Sequence, residues 1–157
     1  MFTRNGNTVA TFNRGTNNGV LISMQRSGNE GGTINITPSA CTYNSASDYR
    51  LKENQVSISD GITRLKQLKP YRFNFKADAS TTVDGFFAHE VQTVVPQAVT
   101  GTKDEVATEE VDGKSIGDPI YQGMDHGKLV PLLTAALQEA IAKIETLETK
   151  VAALESP

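Results

Sequence analysis

The sequence contains little cysteine, histidine or tryptophan: one cysteine, two histidines and no tryptophan in 157 residues. A single cysteine excludes an intrachain disulfide, and the scarcity of cysteine and histidine argues against a metal cluster. Cys41 has no evident histidine partner, so we expect a half-buried structural thiol. His89 and His126 are far apart in the sequence, and nothing around them indicates a zinc site. We therefore expect no metal and no cofactor.

An excess of positive charge and long apolar runs are also lacking. Lys and Arg number 15 against 18 Asp and Glu, a net charge of −3, which leaves no basic surface for nucleic acid or for a membrane. No apolar run approaches the roughly 18 residues that span a bilayer, and the N-terminus lacks a signal-peptide core. We expect synthesis in the cytoplasm. The hydrophobic content of 38% is low for a compact monomer and favours oligomerisation.

The first part of the chain, residues 1–46, is rich in Asn, Gly, Thr and Ser. Its branched and alternating apolar positions predict short strands over 8–12, 19–24 and 33–37, followed by an extended linker over 39–46. Three short strands with so few large apolar side chains cannot stabilise themselves. They are consistent with a polar β segment that intertwines with two copies of itself, as in a fibre shaft. Disorder is the alternative.

The middle of the chain, up to residue 126, predicts a small α+β body. A helix is expected within 55–69, with Ser59 as N-cap and an end at Pro70. Alternating aromatic and polar residues predict a half-buried strand over 71–76. A loop over 77–84, a strand over 86–88 and a short helix over 90–95 follow. The polar stretch 100–119 predicts a mobile loop or hairpin, before a short strand at 120–121.

Residues 127–155 predict a long helix with an apolar heptad repeat. The repeat favours a parallel coiled coil formed by copies of the chain. The alternative is a single amphipathic helix packed on its own domain, which would show a wider apolar stripe. Lys143 and Lys150 fall at g positions, and Glu148 and Glu155 fall at e positions, where they would pair between chains. Branched residues at a with leucine at d favour dimers, whereas Ala140 favours trimers. The a and d positions, called the heptad stripe below, are Val130, Leu133, Leu137, Ala140, Ile144, Leu147, Val151 and Leu154.

The boundary between these parts carries a serine and a lysine five residues apart, Ser47 and Lys52. A serine hydroxyl is a weak nucleophile until a neighbouring base takes its proton. A lysine serves as that base when desolvation or nearby positive charge favours its neutral form, and Arg50 could supply the charge. The alternative is that Ser47 or Asp48 caps a turn and Lys52 is solvated.

Three blocks of sequence resemble the S74 peptidase family, the C-terminal intramolecular chaperone domains of phage tailspikes, tail fibres and endosialidases. The first runs from Ser-Asp-Tyr-Arg-Leu-Lys-Glu-Asn at 47–54 to Lys-Pro-Tyr-Arg-Phe-Asn-Phe at 69–75. The second is Gly-Phe-Phe-Ala-His-Glu-Val at 85–91, and the third is Leu-Val-Pro-Leu-Leu at 129–133. The resemblance covers 47–155 and implies a trimer.

The resemblance implies a chaperone that releases itself by autoproteolysis. Ser47 and Lys52 would be catalytic, and His89 is a third candidate that could orient them or the scissile carbonyl. Glu90, Asp48 and Arg50 are supporting candidates. Attack of Ser47 on the Ala46 carbonyl closes a five-membered ring, so we favour cleavage between Ala46 and Ser47.

The implied organisation divides the chain at Ser47. Residues 1–46 would be the C-terminal end of a β-rich fibre or tailspike segment with its linker. Residues 47–157 would be the chaperone, with a body at 47–126 and a coiled-coil helix at 127–155. The client would be the upstream fibre domain of the same chain. Assembly would occur in the host cytoplasm, leaving the mature fibre on the virion tail and the chaperone released.

Two other functions remain open from the sequence. The first is a structural trimeric fibre tip without protease activity. The second is the same module in a self-cleaving, membrane-tethered transcription regulator, against which the missing membrane span and DNA-binding region argue. Some relatives in the family bind ATP, but the sequence has no glycine-rich phosphate loop.

Overall fold

The computed structural model of the protein describes residues 10–110 and 113–155. Strands and helices are mixed and the chain ends in a long helix, which confirms the predicted α+β class. The chain forms two compact units, Met1–Gln55 and Val56–Pro157. Ser47 and Lys52 therefore lie in the first unit. The functional division proposed at Ser47 stays a prediction.

The first unit is a three-stranded antiparallel sheet in the order β1-β2-β3. Its strands are β1 (Gly19–Arg26), β2 (Asn29–Ile36) and β3 (Cys41–Ser45). The turn between β1 and β2 is only two residues long, and Ser27 and Gly28 both have positive φ, 51° and 80°. That conformation matches the right-handed twist of a hairpin.

The predicted linker over 39–46 is wrong in its central part, because Cys41–Ser45 pairs with β2 as β3. Its residues are exposed, so the strand buries no apolar face that would reveal it in the sequence. The first predicted strand is also wrong over residues 10–12, which are not in a strand. Residues 8 and 9 lie outside the described part. Cys41 is exposed rather than half-buried.

The sheet buries very few of its residues. Among the described residues of this unit, only Gly32 and Thr33 are buried. Three strands without an apolar core are marginal in isolation. The described strands therefore gain little stability from burying their own side chains.

The second unit is built around one apolar core. It contains α1 (Gly61–Leu65), β4 (Tyr71–Phe75), β5 (Asp78–Gly85) and α2 (Ala88–Gln92), then β6 (Val99–Thr100), β7 (Gly123–Met124) and α3 (Val130–Glu155). Strands β4 and β5 form a hairpin, and β6 pairs with β7. The buried core residues are Val91, Val94, Val95, Ala98, Val99, Leu129 and Leu132.

Several predicted boundaries in this unit are wrong. The helix predicted within 55–69 is the five-residue α1, which begins after Asp60 instead of Ser59. The loop predicted over 77–84 is β5, because its polar residues pair through the backbone with β4. The strand predicted at 86–88 is absent: residues 86 and 87 lie in neither a helix nor a strand, and Ala88 begins α2. The strand expected at 120–121 lies at Gly123–Met124.

Helix α3 has two apolar faces. Leu132, Ala135 and Ala136 are buried on the face that packs against α1 and the core. The heptad stripe lies elsewhere on the helix: its residues other than Ala140 are between 46% and 85% exposed. No helix among the described residues combines the length and the apolar character that crossing a bilayer would require.

Candidate functional site

Ser47 and Lys52 are brought together by a turn at the end of the sheet. Tyr49–Leu51 forms a single 3₁₀ turn, which reverses the chain between the two residues. Lys52 Nζ lies 2.7 Å from Ser47 Oγ and donates a hydrogen bond to it. The neutral amine at the same distance would accept the hydroxyl proton, as a general base must. Both residues are exposed.

Asp48 caps this turn. Its Oδ1 accepts a hydrogen bond from Arg50 N at 2.8 Å, and its two carboxylate oxygens bind the Arg50 guanidinium at 2.9 and 2.7 Å. The Arg50 side-chain hydrogen bond holds the pKa of Asp48 below its usual value, and the same contact raises the pKa of Arg50. The Arg50 charge is thus compensated by Asp48, so its suggested influence on Lys52 is weakened.

The backbone on the other side of Ser47 is tied to the sheet. Ala46 N donates to Gly31 O at 3.2 Å, which extends the pairing of β2 and β3 by one residue. Ser47 thus follows the last residue held by the sheet and precedes the residue that caps the turn. The Ala46–Ser47 peptide bond therefore lies between the Ala46 N–H, which the sheet holds, and Asp48, which caps the turn.

His89 and Glu90 lie in the second unit, on α2. The His89 ring stacks on Phe87 with centroids 6.1 Å apart, and it lines a polar pocket with residues of the 102–122 loop. Since Ser47 and Lys52 belong to the first unit, a shared site stays a prediction.

Glu90 is engaged by two residues that the sequence reasoning gave no role. Its Oε1 binds Lys69 Nζ at 3.0 Å and accepts from Tyr71 OH at 3.3 Å. The Lys69 hydrogen bond lowers the pKa of Glu90, and Glu90 in turn raises the pKa of Lys69. Burial and then the Glu90 contact raise the pKa of Tyr71. Lys69 and Tyr71 lie in a block quoted for the resemblance, which was the available signal.

The other acidic and basic side chains in the described part of the chain are arranged differently. No group of three or more His, Cys, Asp or Glu residues there is arranged to hold a metal ion. The basic residues Lys69, Arg72 and Lys103 are paired with carboxylates. The arrangement that stands out chemically is therefore the hydroxyl–amine pair at Ser47 and Lys52.

Comparison with known proteins bears on this segment directly. Residues 47–100 match the sequence model of the peptidase S74 family, described as the chaperone of endosialidase. The match begins at Ser47 and confirms the resemblance over residues 47–100, which hold the first two blocks. It does not reach the third block at 129–133, where the resemblance stays a prediction. It includes Lys52, Lys69, His89 and Glu90. A search of curated proteins found no match.

Proposed function

We propose that the chain is a trimeric intramolecular chaperone that releases itself by cleavage beside Ser47. The proposal proceeds from the match of residues 47–100 to the chaperone of endosialidase. The observation that carries the proposal is the 2.7 Å approach of Lys52 Nζ to Ser47 Oγ within the matched segment. The client is the upstream β segment of the same chain, part of a phage tail fibre or tailspike.

Trimerisation through α3 is the first step of the proposed function. The exposed heptad stripe supports it, because a row of apolar side chains along a 26-residue helix is costly to leave in water. In a parallel coil, Lys143 and Glu148 of neighbouring chains would pair. Gathering three chains raises the local concentration of their polar strands, whose pairing between chains would otherwise be slow.

Cleavage is the second step. Lys52 takes the hydroxyl proton while Ser47 Oγ attacks the Ala46 carbonyl carbon. The C–N bond then breaks, the nitrogen of Ser47 receives the proton, and an ester joins Ala46 to Ser47 Oγ. Water hydrolyses the ester, giving the Ala46 carboxylate and restoring the Ser47 hydroxyl. Backbone N–H groups would have to stabilise the oxyanion.

Assembly would control when this reaction occurs. Ser47 and Lys52 are both exposed in the single chain, whereas a lysine that acts as a base needs surroundings that exclude water. We propose that strands of neighbouring chains exclude water from the pair once the β segment is assembled. Release then uncouples the fibre from the element that assembled it, so the fibre persists by kinetic stability.

A structural fibre tip without protease activity is the second candidate. The observation that favours it is the local turn chemistry: Asp48 caps the turn and pairs with Arg50, and Lys52 is exposed. In that case the Ser47–Lys52 contact only closes the turn. The tip would still trimerise through α3, so the test must address the covalent chain rather than the assembly.

Mass spectrometry of denatured protein after folding distinguishes the two candidates. The wild-type chain of 16.9 kDa should be cut between residues 46 and 47. Ser47→Ala and Lys52→Arg should stay intact, because arginine keeps the charge but cannot accept the proton. Ser45→Ala and Lys76→Ala are matched controls and should be cut like the wild type. A wild-type chain that folds, trimerises and stays intact would establish the structural tip.

A further inference from the structure

The N-terminus of α1 is capped by a carboxylate from α3, 78 residues further along the chain. Glu139 Oε1 accepts from Gly61 N at 2.5 Å, and Oε2 accepts from Ile62 N at 3.1 Å. The local N-cap residue, Asp60, makes no side-chain cap bond. Glu139 thus satisfies two of the N–H groups that a helix start leaves free.

The backbones of α1 and α3 approach each other closely at this junction. A Cβ added to Gly61 would lie 2.5 Å from Ala136 N, so the backbones of α1 and α3 meet where only glycine fits. Leu132, Ala135 and Ala136 are buried on this face of α3. Helix α1 is therefore seated on α3 at one defined position.

Glu139 occupies heptad position c, between Leu137 and Ala140, and so lies off the heptad stripe. The helix that would join the three chains therefore carries the α1 anchor on another face. Residues 53–60, which link Lys52 to Gly61, contain no helix or strand.

We propose that Glu139 is a positioning residue for the self-cleavage: by fixing Gly61 to the trimer-forming helix, it anchors the short tether that holds the Ser47–Lys52 turn. The inference rests on the proposed function. Losing the anchor frees the start of α1, so a longer flexible segment separates the turn from the trimer-forming helix and the strands of neighbouring chains cover the Ser47–Lys52 pair less often. The trimer itself does not need Glu139.

The test starts from chains purified in denaturant, which are refolded at fixed concentration. Trimer is measured by sedimentation, and cut chain is measured over time on denaturing gels. The rate of cleavage per trimer should fall about tenfold or more in Glu139→Ala. Glu139→Gln keeps one acceptor oxygen for the two N–H groups and should be intermediate. Glu145→Ala, at the outward-facing position b of the same helix, should match the wild type.

A second variant separates positioning from lost stability. Val95 is completely buried in the core of the same unit. It is not one of the residues whose N–H groups Glu139 accepts from, so Val95→Ala lowers stability and leaves the Glu139 carboxylate in place. Its cleavage per trimer should stay at the wild-type rate below its unfolding temperature. Equal slowing in Val95→Ala, or an unchanged rate in Glu139→Ala, would overturn the inference. Failure of the proposed function would show differently, as a wild-type trimer that is never cut.

Discussion

Replacing Gly61 by alanine puts a methyl group 2.5 Å from Ala136 N, 2.8 Å from Ala135 C and 2.9 Å from the Ala136 Cα. Ordinary van der Waals contact begins near 3.4 Å, and all three atoms belong to the backbone of α3, which cannot rotate away. Helix α1 must therefore retreat by most of an ångström. That movement would stretch the two hydrogen bonds to Glu139.

The expected loss follows from opposing terms. Overpacking at a close contact costs about 1–3 kcal/mol, and weakening the Glu139 bonds adds about 1 kcal/mol. Alanine regains about 0.5–1 kcal/mol of helix propensity over glycine. We expect Gly61→Ala to destabilise the second unit by about 1–3 kcal/mol. For a domain of this size, that lowers the melting temperature by about 4–20 °C.

The measurement is urea unfolding followed by far-ultraviolet circular dichroism, at one protein concentration and in the Ser47→Ala background, so that cleavage does not change the chain. Thr63→Ala is the matched control, because Thr63 lies on the same helix and is exposed. It should be neutral or slightly stabilising. If Gly61→Ala unfolded at the same urea midpoint as Thr63→Ala, the close approach of α1 and α3 would be refuted.

Two further predictions concern charge and assembly. The pKa of Glu90 is lowered by Lys69, so this pair stabilises the fold fully above the unfolded pKa near 4.5 and less as pH falls through the lower folded value. Lys69→Met should therefore lower the urea midpoint at pH 7, and by less as the pH falls through the folded pKa of Glu90, while Lys76→Met changes the midpoint at neither end of that range; a shift that does not shrink with falling pH would contradict this. Leu147 is 59% exposed in the single chain, so Leu147→Asp should disrupt the trimer on sedimentation yet leave the core of the second unit folded. Thr146→Asp places the same charge at position c and should stay trimeric; loss of assembly in both variants would indicate a general effect of charge.

The sequence predicts those strands, helices and contacts that depend on residues close together in the chain. The strand at Tyr71–Phe75 and the long helix follow from apolar periodicities of two and of three to four residues. The contact of Ser47 with Lys52 is also local, because one turn capped by Asp48 closes the distance. The family resemblance drew attention to these two residues, since their spacing alone is common.

The sequence did not predict the polar strands β3 and β5. The residues of β5 and β3 are mostly exposed, so neither strand carries the alternation of apolar and polar residues that marks a buried face. What makes them strands is backbone pairing with β4 and β2. That pairing depends on the neighbour rather than on the strand's own side chains.

The amino-acid sequence by itself determined the α+β class, the heptad helix, the serine and lysine at the boundary and the match of residues 47–100 to a family model. Each of these depends on residues near one another in the chain. Only the tertiary structure decided that Glu139 caps α1, that Lys69 and Tyr71 bind Glu90, and that the heptad stripe stays exposed while a neighbouring face of α3 is buried. The physical reason is that hydrogen bonds and packing between distant segments leave no periodicity in the sequence, and so they become visible only when the folded backbone brings the partners together.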